Sequence, residues 1–328
     1  MSGAALAESL AQEEAFARIR LLRSPNVGPV TYAQLLARFD DARAALDALP
    51  DLAGRAGRKA YAAAPERRVH EEIKAVRRAG ARHLFHDSPD YPPLLAQADG
   101  APPILTVRGD TALALRPAVA VVGARNASAA AVKLARDFAV GLADAGLTVV
   151  SGLARGIDGA AHRGALSADG AGGSTIGVIA CGIDIAYPPE HAELQEQVAE
   201  EGLLIAEQPP GTEPLARHFP SRNRIIAGLA AGTLVVEAAP KSGSLITGSR
   251  EKWGAKSWPF PAHRSIRALR AATSLSATAP CWCRAPMMSS NFSPPSTVPR
   301  ARSSAMPRPN GSCPTIPANM NRRRLPNC

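Results

Sequence analysis

The sequence lacks the features that place a chain in a membrane or in an oxidising compartment. It contains no run of about 18 apolar residues, so no transmembrane helix is predicted. Residues 1–16 show no basic segment followed by an apolar one, so no secretory signal is predicted and a cytoplasmic location is expected. Only one of the five cysteines, Cys181, precedes residue 249, and disulfide bonds are not expected in a cytoplasmic protein.

Acidic residues are almost missing from the last part of the chain, and this explains the net charge of +10. Residues 249–328 contain a single acid, Glu251, whereas residues 1–248 are slightly acidic overall. The same segment holds 12 of the 29 prolines and shows no periodicity, which is typical of a disordered basic tail. Its Cys281 and Cys283 have no matching second pair, so no metal site is predicted. Any nucleic-acid site in the rest of the chain must be a local basic patch.

Residues 1–80 are predicted to form a small helical domain. Apolar residues recur at helical spacing in residues 10–22, 30–39 and 40–49, and a further helix is expected over residues 65–80. The turn NVGPV has the hydrophobic-Gly-hydrophobic form of a helix-hairpin-helix, or SAM-like, domain. Such a turn can bind DNA phosphates through backbone N–H groups; the alternative is a helical packing module without a DNA contact.

Residues 81–248 are predicted to form a doubly wound, Rossmann-like α/β domain. One strand is expected at 104–107, and from residue 118 onward apolar strands alternate with helices. The expected strands of this second part are 119–123, 147–152, 174–182, 203–208 and 233–239. Continuous apolar strands joined by helices indicate a parallel sheet covered on both faces. The carboxyl ends of these strands then lie at one edge, where such sheets bind ligands.

The loops at this edge contain the candidates for binding a phosphate or a base. An arginine beside a helix N-terminus favours an anion, a glycine-rich turn can offer N–H groups to a phosphate, and an aromatic ring can stack on a base. The candidate residues are Arg125, Ser151, Gly152, Arg155, Phe219, Arg222, Asn223, Arg224, Lys241, Ser242, Gly243 and Ser244.

Structural roles are open alternatives for these residues. Arg125 can be a solvent-facing residue of a βα turn, and Phe219, which is expected in a loop before Pro220, can instead fill the core. The arginines that follow it can pair with Glu207 or Glu237. The glycine spacing differs from GxGxxG, so an NAD site is not expected.

Five strings in this region resemble the DprA/Smf family of bacterial DNA-processing proteins. They are VAVVGARNAS, VVSGLARGIDGAAHRGAL, GVIACGIDIAYPPEH, PPGTEPLARHFPSRNRIIAGL and VVEAAPKSGSLIT, and they cover about residues 119–247. The resemblance implies a non-catalytic protein that binds single-stranded DNA, protects it, and loads the recombinase RecA during natural transformation or recombination. It also implies that no cofactor is needed and that the protein is a homodimer.

The competing prediction is a nucleotide-processing enzyme, similar to a phosphoribohydrolase, on a related fold. Such enzymes carry a PGGxGT-type loop with a catalytic glutamate, whereas here Glu213 stands in PPGTEP and follows a different turn. Asp158 and His162 are four residues apart on one helix, but no nucleophile or metal partner is evident, and we interpret them as local structure. The sequence thus contains no recognisable catalytic constellation, and a binding protein is preferred.

Beyond GSLIT the sequence departs from the family's pattern, which continues with a helix, a strand of the type EVLAVPGSPLDP and a further domain. Shifting the reading frame by one nucleotide makes KSWPFPAHRSIRALRAAT compatible with EVLAVPGSPLDPRAPGSN. We therefore interpret residues 249–328 as a frameshifted tail, with the change near residues 247–255. Because family members use the late part of this domain for dimerisation and RecA contact, both are left open for this chain.

Overall fold

The computed structural model describes residues 3–39, 41–55, 61–168 and 174–237. The helices of these ranges are α1 (Gly3–Arg23), α2 (Pro29–Arg38), α3 (Ala42–Arg55), α4 (Glu66–Arg78), α5 (Pro93–Ala96), α6 (Ala129–Asp144), α7 (Ile157–Leu166), α8 (Ala192–Glu201) and α9 (His218–Leu229). The strands are β1 (Arg82–Phe85), β2 (Ile104–Gly109), β3 (Ala118–Gly123), β4 (Thr148–Ser151), β5 (Ser174–Gly182), β6 (Leu203–Gln208) and β7 (Gly232–Val236). None of the helices in these ranges has the length and apolar character needed to cross a bilayer.

The N-terminal part folds as helices, as the spacing of its apolar residues predicts. Helix α2 begins at Pro29, where the missing N–H and the fixed φ of proline suit the first helical position. Its Tyr32 and Leu35 are buried against Leu21 of α1 and Leu46 of α3, which form one apolar cluster. Helix α4 then packs on α1 and on β1, so the helical part lies directly against the sheet.

All seven strands belong to one sheet, in the order β1-β2-β6-β5-β4-β3-β7. The strands β3 to β7 are parallel, which confirms the predicted doubly wound core. Two features differ from the prediction: β1 was not expected, and β2 pairs antiparallel with both β1 and β6. Both strands precede the alternating strand–helix region. The connection between them contains only the four-residue α5, and they pair as antiparallel neighbours, so the handedness rule for crossovers between parallel strands does not apply.

Helices cover both faces of the sheet. On one face, alanines of α6 and α7 pack closely on Val121 and Val149, and α8 continues this layer over Leu204. On the other face, Ile225 and Ile226 of α9 join a cluster that includes inward-facing residues of β4, β5 and β6. Strands that are apolar on both sides are required by this arrangement.

Candidate nucleic-acid interface

A pocket of about 130 Å³ lies at the carboxyl edge of the parallel strands. Four of its side chains come from four different connections. Arg125 follows β3, Arg155 follows β4, Tyr187 follows β5, and Phe219 lies in the first turn of α9, after β6. The parallel direction of these strands brings residues far apart in sequence to one place.

Arg125 and Phe219 form the centre of this pocket. The guanidinium carbon of Arg125 lies 5.2 Å from the centre of the Phe219 ring, within the range of a cation–π contact. Arg125 is exposed and Phe219 is half-buried, so both can still contact a ligand. A cation beside an accessible ring can bind a phosphate and a base of one nucleotide together.

Tyr187 also lines this pocket, although it is not among the candidate residues predicted from the sequence. Its ring centre lies 5.9 Å from that of Phe219, at an interplanar angle of 58°, and the residue is 39% exposed. The available signal was an aromatic residue before two prolines in a loop that directly follows a strand. A second exposed ring at the pocket widens the surface on which a base can stack.

The position of Phe219 corrects the prediction that it lies in a loop. Helix α9 begins at His218, so Phe219 and Pro220 both belong to its first turn. Proline is tolerated there because the first N–H groups of a helix have no intrahelical partner. The ring is therefore held on a regular element rather than on a loose connection.

The backbone around Arg125 is fixed by the start of α7. The N–H of Ile157 donates to the carbonyl of Ala124 at 3.2 Å. Gly156, with φ +72°, lies so close that a Cβ on it would overlap the carbonyl oxygens of Ala124 and Arg125. Only glycine fits this conformation at this spacing. The turn that presents Arg125 is thus built from two loops packed against each other.

The N-terminus of α6 already holds an anionic group from the protein itself. Ser128 caps the helix, accepting a hydrogen bond from the N–H of Ala131 at 3.2 Å, as its place before residue 129 predicts. The N–H and hydroxyl of Ser128 donate to the carboxylate of Glu237, at 2.9 and 2.8 Å. Among the described residues, Glu237 thus binds this helix end and not an arginine.

Ser151 and Gly152 were expected to offer hydrogen-bond donors to a phosphate, but the structure uses their donors internally. The buried Ser151 hydroxyl donates to the carbonyl of Val121 at 2.6 Å. The N–H of Gly152 donates to the carboxylate of Asp158 at 3.2 Å. The glycine-rich turn follows β4 as predicted, yet these two groups are turned inward to hold the loop together.

The arginines of the site differ in how firmly they are held. Arg155 pairs with Glu190, but both side chains are largely exposed, so this pair contributes little and can be exchanged for a phosphate. Arg224 pairs with Glu207, and both are mostly buried; this is the structural alternative considered for these arginines. Burial raises the pKa of Glu207, and the Arg224 guanidinium opposes that rise.

Arg222 is only 6% exposed, although its position in the sequence suggested a DNA contact. Its Nη1 donates to the carbonyls of Gly152 and Val178, and its Nε donates to the Asn223 side chain at 3.1 Å. Asn223 itself is half-buried. The guanidinium of Arg222 therefore serves the protein interior, while one end of it reaches the pocket wall.

The last four candidates, Lys241, Ser242, Gly243 and Ser244, lie outside the described residues, as do the end of the fifth predicted parallel strand and the tail 249–328. The described chain ends at Glu237, one residue beyond β7. The part of Lys241, Ser242, Gly243 and Ser244 in the site remains a prediction.

Two protein families match the sequence. The DNA recombination-mediator protein A family matches residues 82–252, and a DprA-like N-terminal HHH domain matches residues 12–75. The second match fits the helix-hairpin-helix pattern of the first helices. The N-terminal match ends within α4, at residue 75, and the other match begins with β1, at residue 82.

Individual relatives agree with these families. Protein Smf of a Synechocystis species is 44% identical over 168 residues, which are 50% of this chain and 42% of that protein. The DNA processing protein DprA of Streptococcus pneumoniae is 46% identical over 160 residues, which are 49% of this chain and 55% of that protein.

A solved structure extends the likeness from sequence to fold. The crystal structure of DNA processing protein A from Streptococcus pneumoniae matches 62% of this chain and 73% of its own, with 35% identity and a TM-score of 0.54. The chain thus spans about half the length of the curated relatives it matches. The matched region of 82–252 contains the whole sheet and the pocket, and the chain belongs to the DNA recombination-mediator protein A family, DprA/Smf.

Proposed function

We propose that this chain binds single-stranded DNA at the pocket around Arg125 and Phe219 and acts as a recombination mediator. The observation that carries the proposal is the 5.2 Å contact between an exposed guanidinium and an accessible ring at the edge where parallel sheets bind ligands. The ring can stack on any base, and Arg125 with Arg155 can neutralise adjacent phosphates. The family supports the mediator role.

Single strands suit this site better than a duplex. Phe219 can stack only on a base whose face is free, and the bases of a duplex are already stacked on each other. A stacking contact also accepts every base, so we expect little dependence on sequence. Because part of the affinity comes from phosphates, we expect binding to weaken as salt rises, with a slope of about −0.7 for each phosphate neutralised.

The direct test is the affinity of the full chain for fluorescent oligodeoxythymidine, measured by anisotropy at several salt concentrations. Arg125→Ala should weaken binding and lower the salt slope by about 0.7, because one phosphate contact is lost. Lys241→Ala should do the same. Arg68→Ala is the matched control, since it removes an exposed cation from α4. Unchanged affinity in both Arg125→Ala and Lys241→Ala would remove this site.

Phe219 tests the stacking part separately. Phe219→Leu keeps an apolar side chain but removes the ring, and should cost about 1–3 kcal/mol of binding, the range for one stacked base. The salt slope should stay the same because no phosphate contact changes. A Phe219→Trp variant should bind at least as well as wild type. If Phe219→Leu binds as tightly as wild type, the ring does not stack on DNA.

The proposal includes delivery of the bound strand to RecA and the absence of catalysis. Delivery predicts that the chain shortens the lag of RecA ATP hydrolysis on DNA covered by single-strand-binding protein, and that Arg125→Ala loses this effect. Absence of catalysis predicts that incubation with nucleoside monophosphates releases no free base. Released base would favour the phosphoribohydrolase-like alternative.

A further inference from the structure

The backbone of Gly152 lies between two buried side chains of opposite charge. Its N–H donates to the Asp158 carboxylate at 3.2 Å, and its carbonyl accepts from Nη1 of Arg222. The same Nη1 also donates to the carbonyl of Val178, in β5, at 2.9 Å. Asp158 and Arg222 are each 6% exposed. The N–H and the carbonyl of Gly152 therefore each meet a group of complementary charge away from water, where such hydrogen bonds are strong.

The residue between these charges has no room for a side chain. A Cβ on Gly152 would lie 2.8 Å from the Asp158 carboxylate and would overlap the guanidinium of Arg222. Glycine at position 152 thus allows both the Asp158 carboxylate and the Arg222 guanidinium to approach the backbone of this residue. This explains the residue without an anion contact, which was the role predicted from the sequence.

The two charged residues belong to the two elements that present the pocket. Asp158 is the second residue of α7, and the first residue of that helix, Ile157, holds the turn of Arg125 through the carbonyl of Ala124. Arg222 lies one turn after Phe219 on α9, with its guanidinium carbon 5.8 Å from the ring centre. The backbone of Gly152 therefore connects α7, which holds the turn of Arg125, with α9, which carries Phe219.

We propose that Asp158 and Arg222 are positioning residues. They act through the backbone of Gly152 and hold Arg125 and Phe219 at the separation needed to bind one nucleotide unit. This inference rests on the proposed function and deepens it. It assigns Arg222, a predicted DNA contact, to the support of Phe219 instead. It also gives Asp158 a role at the site without acid–base chemistry.

Electrostatics supports the pairing. Burial raises the pKa of the Asp158 carboxyl, and Arg222 and the N–H groups of Ala154, Gly152 and Gly123 oppose that rise. Burial lowers the pKa of the Arg222 guanidinium, and Asp158 opposes that change. Each group thus favours the charged form of the other. Removing one of them leaves an uncompensated charge in the interior, so the local structure must rearrange.

The experiment compares Arg222→Lys and Asp158→Asn with wild type in the oligodeoxythymidine assay. Lysine keeps the charge but has a single nitrogen, so it cannot bond the two carbonyls and the Asn223 side chain together as Nη1 and Nε of Arg222 do. Asparagine keeps the shape of Asp158 without its charge. Both variants should weaken binding about fivefold to a hundredfold, the range for losing one base stack. The salt slope of Arg222→Lys should equal that of wild type, because Arg222 supports the ring of Phe219 and contacts no phosphate. Asp158→Asn should lower the slope by up to about 0.7, because α7 holds the turn of Arg125. Arg68→Lys, the same kind of substitution at an exposed position of α4, is the control.

A double-mutant cycle with Phe219→Leu separates positioning from a direct contact. If Arg222 acts through Phe219, Arg222→Lys adds little to the loss already caused by Phe219→Leu. Additive losses, or a salt slope lowered by about 0.7 in Arg222→Lys, would show a direct DNA contact and overturn the inference.

Two further measurements separate an effect of the substitutions on folding from an effect on DNA binding. Circular dichroism must show that each variant is folded; if both Arg222→Lys and Asp158→Asn are unfolded, the pair serves stability alone and the inference is wrong. If wild type itself does not bind the oligonucleotide, the proposed function fails. If wild type binds and the variants bind equally well, only the positioning role fails.

Discussion

Removing the carboxylate of Glu72 should destabilise the contact between the helical part and the sheet. It lies on α4 and is 7% exposed. Both carboxylate oxygens accept hydrogen bonds from Arg23 at the end of α1, at 2.8 and 2.9 Å. His83 of β1 lies 3.4 Å from the same carboxylate. One carboxylate thus joins two helices and the first strand of the sheet.

The loss of folding free energy expected for Glu72→Gln can be calculated in two ways. Burial alone would raise the pKa of Glu72, but the hydrogen bonds from His83 and Arg23 lower it from 4.5 to about 2. Since one pKa unit corresponds to about 1.4 kcal/mol, this stabilises the folded state by about 3 kcal/mol at neutral pH. Breaking a buried ion pair by removing one partner costs about 3–5 kcal/mol, which agrees.

The direction of the pH dependence is also fixed. The folded pKa lies below the unfolded one, so the contribution is complete above about pH 4.5 and is lost as the pH falls toward 2. We expect the difference in unfolding free energy between wild type and Glu72→Gln to be about 3 kcal/mol at pH 7 and about 2 kcal/mol near pH 3.5.

Urea unfolding followed by circular dichroism measures this difference. Glu71→Gln is the matched control, because the neighbouring Glu71 forms an exposed pair with Arg67, and it should shift the midpoint little. The reasoning is refuted if Glu72→Gln is as stable as wild type at pH 7, or if the difference stays constant down to pH 3.5.

Two further predictions concern the sheet and the site. His162 is fully buried, and Nδ1 lies 2.7 Å from the Thr175 hydroxyl. Burial lowers the pKa of His162 to about 3, so stability should fall as the pH drops below about 6.5, and His162→Gln should reduce this dependence between pH 6.5 and 5 in urea unfolding. Gly156→Ala should lower both the melting temperature and the DNA affinity, because the new Cβ displaces the backbone of Ala124 and Arg125; an unchanged affinity in a folded variant would show that this turn does not position Arg125.

The parallel part of the sheet was predictable because each strand is a continuous apolar run. The predicted bounds 174–182 and 203–208 coincide with β5 and β6. β1 was not predictable in the same way, because its four residues, Arg82–Phe85, include two polar side chains and only one buried residue, Leu84. Local pattern therefore identified the buried strands and missed the short antiparallel one at the edge.

The location of the site in the fold was predictable from the sequence, but the role of each residue in it was less so. Arg125 and Phe219 meet because parallel strands end together, which follows from the strand pattern alone. The inward use of Ser151 depends on the carbonyl of Val121 in β3, and that of Gly152 depends on side chains that approach from α7 and α9. Spacing along the chain cannot show such a tertiary contact. The frame change inferred near residues 247–255 stays a hypothesis, and the family match ends at residue 252.

The strand order has a consequence for the way the chain assembles. β3 pairs on one side with β4, which follows soon after it, but its other neighbour is β7, so that Val119 lies opposite Gly232. During synthesis, one row of β3 backbone groups has no ladder partner until more than a hundred further residues have been added. Closing such a long loop is slow. We expect chains that stop before Gly232 to present this open edge to one another and to aggregate, since unpaired strand edges recruit other strands.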